Sequence, residues 1–154
     1  MELSEILKPE AVKIVSEATS KKRLFQKLGD VAHDAYGCKM GRAVEALLER
    51  EALGPTGVGH GVALPHARLP DITTVHGLFV KLERPVDFDA VDRLPVDLVF
   101  ALIAPDTAGV QHLKALAAVS RTMRDASICA KLRANHSADT LHTVLTAGPN
   151  SAAA

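Results

Sequence analysis

The chain has 154 residues, a length that fits one domain able to bury roughly two thirds of the surface its unfolded form exposes, with no need of a disulfide or metal staple. Eighteen basic residues balance eighteen acidic ones, so the positive field that draws in a nucleic-acid backbone or an anionic membrane is missing, and neither partner is expected. Two cysteines, Cys38 and Cys129, stand far apart with no CxxC spacing, which suits reduced, structural thiols in a reducing compartment.

The N-terminus, MELSEILKPE, lacks the basic-then-apolar order of a secretion signal, and the expected location is cytoplasmic. Residues 11–15 are brief and partly β-branched. Ser20 reads as an N-cap for a helix whose inner face is Leu24, Phe25, Leu28, Val31, Ala32 and Ala35, with a stop at Gly37. A second helix is predicted from about Met40, with Val44, Leu47 and Leu48 inward, ending at Gly54-Pro55. Residues 54–61, GPTGVGHG, hold four glycines and read as a loop whose backbone can take positive φ and approach a ligand closely.

Residues 62–64, 74–82 and 96–103 read as strands. The apolar run at 98–104 is far short of the roughly 20 residues that span a bilayer, so it predicts a strand buried on both faces. From Gly109 the pattern turns helical, with Leu116, Val119 and Met123 on one stripe that, carried back four residues from Leu116, includes His112. Ser137 can cap a last helix bearing Leu141, Val144 and Leu145. Helices before and after a strand-rich centre predict a single α/β domain over 1–147 whose sheet is covered by helices, followed by a flexible C-terminal tail at 148–154.

Of seven histidines, His66 is the best placed for chemistry. Pro65 has no N–H to offer a ladder, so the strand is expected to end there and the next side chain to project from a strand end, where sites in α/β sheets collect. An imidazole attacks phosphorus only through an unprotonated nitrogen, and a hydrogen bond from the other nitrogen can fix that tautomer. The phosphoryl oxygens then need donors: loop amides, a second imidazole such as His112, and a guanidinium such as Arg50. The simpler reading of each residue stays open at this point. A histidine beside a glycine-rich turn or on an apolar helix stripe is commonly structural, and Arg50 in Glu49-Arg50-Glu51 reads as a solvated charge.

Other constellations fall short. Gly54 and Gly59 have P-loop spacing, but His60-Gly61 follows where Lys-Ser/Thr should stand. His60, His66 and His112 lack the HExxH or carboxylate-rich motif that would accompany a zinc site, so no metal is expected. Asp87, Asp89, Asp92 and Asp97 read as turn and solvent carboxylates, and neither cysteine carries a nucleophile pattern.

GVALPHAR at 61–68, preceded by Arg50-Glu51 and GPTGVGHG, resembles the active-site segment of the fructose/mannitol-type enzyme IIA family of the bacterial phosphoenolpyruvate-dependent phosphotransferase system. The family's second signature is matched in the right order by His112-Leu113-Lys114-Ala115-Leu116-Ala117. SKKRLFQKL at 20–28 and PVDFDAVDRLPVDLVFALIAP at 85–105 resemble the nitrogen-related branch, and the likeness runs from residue 3 to about residue 145. The resemblance implies a mixed sheet of about five strands sandwiched by helices on both faces. It implies His66 as phosphorylated nucleophile, His112 as supporting imidazole and Arg50 as the cation that stabilises the phosphoryl group. Thr56, Gly59, His60 and Arg68 are weaker candidates for phosphate binding or partner docking. It further implies no cofactor, an HPr-like phosphocarrier as donor, and target proteins such as kinases or transporters regulated by phosphorylation state. The alternatives are a sugar-specific enzyme IIA handing phosphate to a IIB domain, and a regulatory binding module that is never phosphorylated.

Overall fold

Two short 3₁₀ turns, Leu3–Glu5 and Pro9–Ala11, lead into β1 (Val12–Val15) in a computed structural model that describes residues 1–147. The expected tail at 148–154 lies outside the described residues. Ser20 opens α1 (Lys21–Tyr36) as a side-chain cap, its Oγ accepting from the Arg23 N–H at 3.2 Å. Gly37 closes the helix in the left-handed region, φ 74°, where a side chain would be strained. Leu24, Phe25, Leu28, Val31 and Ala32 are buried as the spacing requires.

In α2 (Met40–Leu53) the inward stripe differs from the expected one. Ala43, Leu47 and Glu51 are buried while Val44 and Leu48 are half-buried. The helix is turned so that Glu51 points inward, where its carboxylate accepts from the Thr56 N–H (2.8 Å) and the Thr56 hydroxyl and pairs with Lys21 (2.9 Å). A buried carboxylate is tolerable because it is fully partnered. This knot ties the start of α1, the end of α2 and the residues before the next strand together. The helix stop is also less regular than expected, since Gly54 is extended, φ 163°, with its N–H on the Glu51 carbonyl at 3.2 Å.

The glycine run is a hairpin. β2 (Gly57–Gly59) and β3 (Val62–Ala63) are antiparallel, joined by His60 and Gly61 with φ of 57° and 78°, the positive pair that a two-residue turn matched to strand twist demands. After a break at Leu64-Pro65 the chain resumes as β4 (His66–Leu69), so the strand does not end at Pro65. Both pieces run parallel to β6 (Val96–Pro105) in one unbroken register, Val62 against Leu98, Ala63 against Val99 and His66 against Leu102. β5 (His76–Val86) lies between β1 and β6, parallel to the first and antiparallel to the second. The sheet is therefore mixed, with six strands in the order β1-β5-β6-β3-β2 and β4 also on β6. The count exceeds the expected five because the glycine run pairs and the neighbouring strand is split.

The helices α3 (Gly109–Met123), α4 (Ala126–Ala134) and α5 (Ala138–Ala147) complete the domain. α1 and α2 pack together over β5 and β4, while α3 packs on β6 and α5 on β1. Every β6 residue except Asp97 is buried, and since successive side chains point to opposite faces, both faces of the sheet are covered. Cys38 and Cys129 are buried free thiols, and burial pushes both pKa values up.

Asp97 is more than a solvent carboxylate. Arg133 on α4 clamps it with Nε and Nη2 at 2.9 and 2.8 Å, and the same Nη2 donates to the His60 carbonyl at 2.7 Å. Asp92 takes the His60 N–H at 2.8 Å, so the hairpin turn is held from two sides. A Cβ on Gly61 would meet Arg133 Nη2 at 2.6 Å and Asp97 Oδ1 at 2.8 Å on a backbone already at positive φ. Gly61→Ala is expected to cost about 2 kcal/mol in urea unfolding, by left-handed strain and displacement of the ion pair. Gly41→Ala, with nothing within 4 Å of the new methyl, should be neutral or stabilising.

Candidate functional site

The break between β3 and β4 defines the site. Pro65 lacks an N–H, but its carbonyl accepts from the Leu102 N–H at 2.9 Å, so the ladder passes through it. The Leu64 carbonyl is left to accept a side chain, and His66 Nδ1 lies 2.9 Å from it. A ring nitrogen facing a carbonyl carries the proton. In the neutral ring, Nε2 of His66 therefore holds the lone pair.

His112, in the first turn of α3, is 7% exposed, and its ring centroid lies 5.8 Å from that of His66, the planes at 73°. Arg68 is two residues along β4 from His66 and so on the same face of the strand. Its Nε reaches His112 Nδ1 at 3.1 Å. A guanidinium only donates, so Nδ1 of His112 is an acceptor and its proton sits on Nε2. That Nε2 is buried and has no hydrogen-bond partner among the described residues. An unpartnered buried donor calls for an acceptor from outside the protein. Burial first, then the charges of Arg68 and His66, hold the His112 pKa below its ordinary value, so the ring stays neutral.

These groups line an open cleft of about 390 Å³ between α2, β4 and α3, together with Arg50, Glu49 and Leu53. Arg50 donates from Nη1 to the Gly54 carbonyl at 2.9 Å, which anchors its head and leaves the other N–H groups of the fork for a ligand. The fold thus brings together His66, His112, Arg50 and Arg68. Thr56, Gly59 and His60 do not line this cleft. Thr56 spends its amide and hydroxyl on Glu51, and the His60 amide is held by Asp92, so neither amide is turned to the cleft. Gly59 and His60 border a separate cavity. The three imidazoles weighed for zinc are accordingly not gathered, and among the described residues no group of three or more His, Cys, Asp or Glu side chains is placed to hold a metal.

Sequence reasoning undervalued Arg68. The signal was present in the i, i+2 spacing of His66 and Arg68, which puts both on one face of a strand, but it was legible only with β4 recognised as a strand.

A mixed six-stranded sheet covered by helices is the fold of a IIA-type domain of the phosphotransferase system. Residues 5–148 match the family described as phosphoenolpyruvate-dependent sugar phosphotransferase system, EIIA 2, and the chain belongs to that family. Within it the chain is similar to the nitrogen regulatory protein of Bradyrhizobium diazoefficiens, 44% identical over 153 residues that cover 99% of this chain and 100% of that one. The nitrogen regulatory protein of Escherichia coli strain K12 is 37% identical, over 95% of this chain and 90% of its own. The crystal structure of nitrogen regulatory protein IIA-Ntr from Neisseria meningitidis superposes with a TM-score of 0.87 at 35% identity, covering 94% of this chain and 99% of that one. The chain is thus a IIA-Ntr-like component of the phosphotransferase system. Among the described residues no helix is long and apolar enough to cross a membrane.

The lowered His112 pKa sets a pH dependence. With the folded value below the ordinary 6.5, the unfolded chain binds the proton more tightly, so this contribution to stability is complete above pH 6.5 and is lost as pH falls through the folded value. His76, lowered by burial and Lys8, acts in the same direction. Urea unfolding at successively lower pH should show the decline. Arg68→Met should move the His112 NMR titration upward, since it removes the second cause and leaves burial.

Proposed function

We propose that this protein carries a phosphoryl group on Nε2 of His66, received from an HPr-like phosphocarrier, and regulates target proteins by whether that group is present. The observation that carries this reading is the 2.9 Å bond between His66 Nδ1 and the Leu64 carbonyl, which leaves Nε2 as the nucleophilic nitrogen. In the transfer, the donor's P–N bond breaks as the Nε2–P bond forms. The donor ring, protonated on its other nitrogen, departs as neutral imidazole with the electron pair of the broken bond. His66 keeps its Nδ1 proton, and the positive charge its ring acquires is stabilised by the Leu64 carbonyl.

The phosphoryl oxygens carry the charge of the transition state and need preplaced donors. The unpartnered Nε2–H of His112 supplies one, and Arg50 and Arg68 supply guanidinium N–H groups from the same cleft. A neutral His112 suits this role, because the Arg68 bond fixes the tautomer that donates from Nε2. A protein donor is supported by the rim: Leu53, Val110 and Leu113 are 85%, 64% and 65% exposed, the first on the cleft and the others on the helical turn that carries His112. An apolar rim about a polar cleft is the kind of surface another protein covers. A phosphoryl group there adds a charge of about −1.5 to −2, an amount taken from phosphorylated hydroxyl residues, enough to change which partner the rim accepts.

Intact-mass analysis after incubation with phosphoenolpyruvate and the upstream carriers tests the reading. Wild-type protein is expected to gain one acid-labile phosphoryl group, with ³¹P–¹⁵N coupling to Nε2, and His66→Ala to gain none. His112→Ala should still be modified, about 10²- to 10³-fold more slowly, as expected for loss of one preplaced donor. An adduct that persists in His66→Ala would falsify the assignment.

A further inference from the structure

A second cavity, of about 690 Å³, opens between the β2–β3 hairpin, the C-terminal end of α3 and α4. It is larger than the His66 cleft of about 390 Å³ and separate from it. Its walls combine apolar residues, Leu64, Met123 and Ala130 among them, with the basic residues His60, Arg124 and Arg133, and among the described residues no carboxylate lines it. Arg133 is engaged by Asp97 and the His60 carbonyl, whereas the exposed Arg124 guanidinium makes no hydrogen bond or ion pair among the described residues. An apolar hollow with a free cation at its edge matches a ligand with an apolar body and one negative end.

Leu64 connects this cavity to the histidine cleft. Its buried side chain lines the cavity, its N–H donates to the Thr56 carbonyl at 3.0 Å, and its carbonyl holds His66 Nδ1 at 2.9 Å. A ligand that displaces the side chain moves a residue whose carbonyl holds the His66 ring, and the ring follows.

We infer that this cavity binds a small amphipathic carboxylate, its chain on Leu64, Met123 and Ala130 and its carboxylate on Arg124, and that occupancy alters the hydrogen bond which orients His66. The binding and the ring shift stand without phosphorylation; only their regulatory meaning rests on the phosphoryl-carrier reading.

Octanoate is a suitable probe, titrated into ¹⁵N-labelled unphosphorylated protein. Saturable shifts are expected for the Leu64, Met123 and Ala130 amides, with a dissociation constant on the order of a millimolar for a ligand this small. The His66 ring nitrogens should shift with the same midpoint. Arg124→Glu should weaken binding about tenfold, the worth of one charge-assisted hydrogen bond. Ala130→Trp, at an exposed position of α4, should fill the hollow and abolish binding while leaving the remaining spectrum folded. Absence of saturation, binding that survives Ala130→Trp, or equal binding of octylamine or octanol overturns the carboxylate site. Saturation of the cavity amides with unmoved His66 nitrogens overturns the coupling. Octanoate that binds and moves the ring in a protein whose His66 accepts no phosphate would refute the carrier reading alone.

Discussion

The carbonyl of Leu64 is the group on which the site depends. It lies on the edge of the strand that faces away from β6, and the His66 side chain takes it. The Pro65 carbonyl faces β6 and accepts from Leu102, so the register on β6 is kept across the proline, while Leu64 faces the opposite edge, where its N–H donates to the Thr56 carbonyl. The Leu64 carbonyl selects the His66 tautomer. β6 is buried along nearly its whole length, so the strand that carries His66 is backed by close-packed core.

Around that point the electrostatics keep the His112 imidazole neutral and favour an anion. Burial and two nearby basic groups disfavour a charged His112, and Arg68 assigns its proton to Nε2. The same guanidinium therefore does two things: it fixes a donor and contributes positive charge to the cleft. Arg50 is positioned from farther away. It sits one residue before Glu51, and the inward turn of Glu51 onto Thr56 and Lys21 sets the rotation of α2 that places Arg50 on the cleft. A buried carboxylate with three partners is in effect the peg that orients a surface cation.

Much of the fold was legible because local signals agreed with one another. Ser20, the apolar stripe and Gly37 mark the same helix, and the run at 98–104, too short to span a bilayer, reads as a strand covered on both faces. The glycine run was harder. Glycine permits an open loop and a tight turn equally, and only the clamp of Arg133, Asp97 and Asp92 on His60-Gly61, residues distant in sequence, decides for the hairpin. Pro65 misled in a similar way, since a proline is a sound reason to end a strand unless a partner strand restores the register beyond it. The pairing of His66 with His112 came from resemblance to family motifs. Spacing alone left both open to a structural role, because nothing local brings position 112 to position 66.

The cleft is shallow and open, and this constrains how the proposed transfer can work. Electrostatic stabilisation weakens in water, so three or four donors on an open surface cannot by themselves protect a transferring phosphoryl group from hydrolysis. Leu53, Val110 and Leu113 gain a meaning here: exposed apolar side chains near the cleft are costly in isolation and favourable once a partner covers them, and that covering excludes water at the moment of transfer. In the proposed transfer the partner would complete the dielectric environment, with this chain supplying the oriented nitrogen and the donors. A site divided in this way reacts only with a donor whose surface fits the rim. Specificity for the donor then comes from the apolar contacts, and the nucleophile's readiness from a single backbone carbonyl.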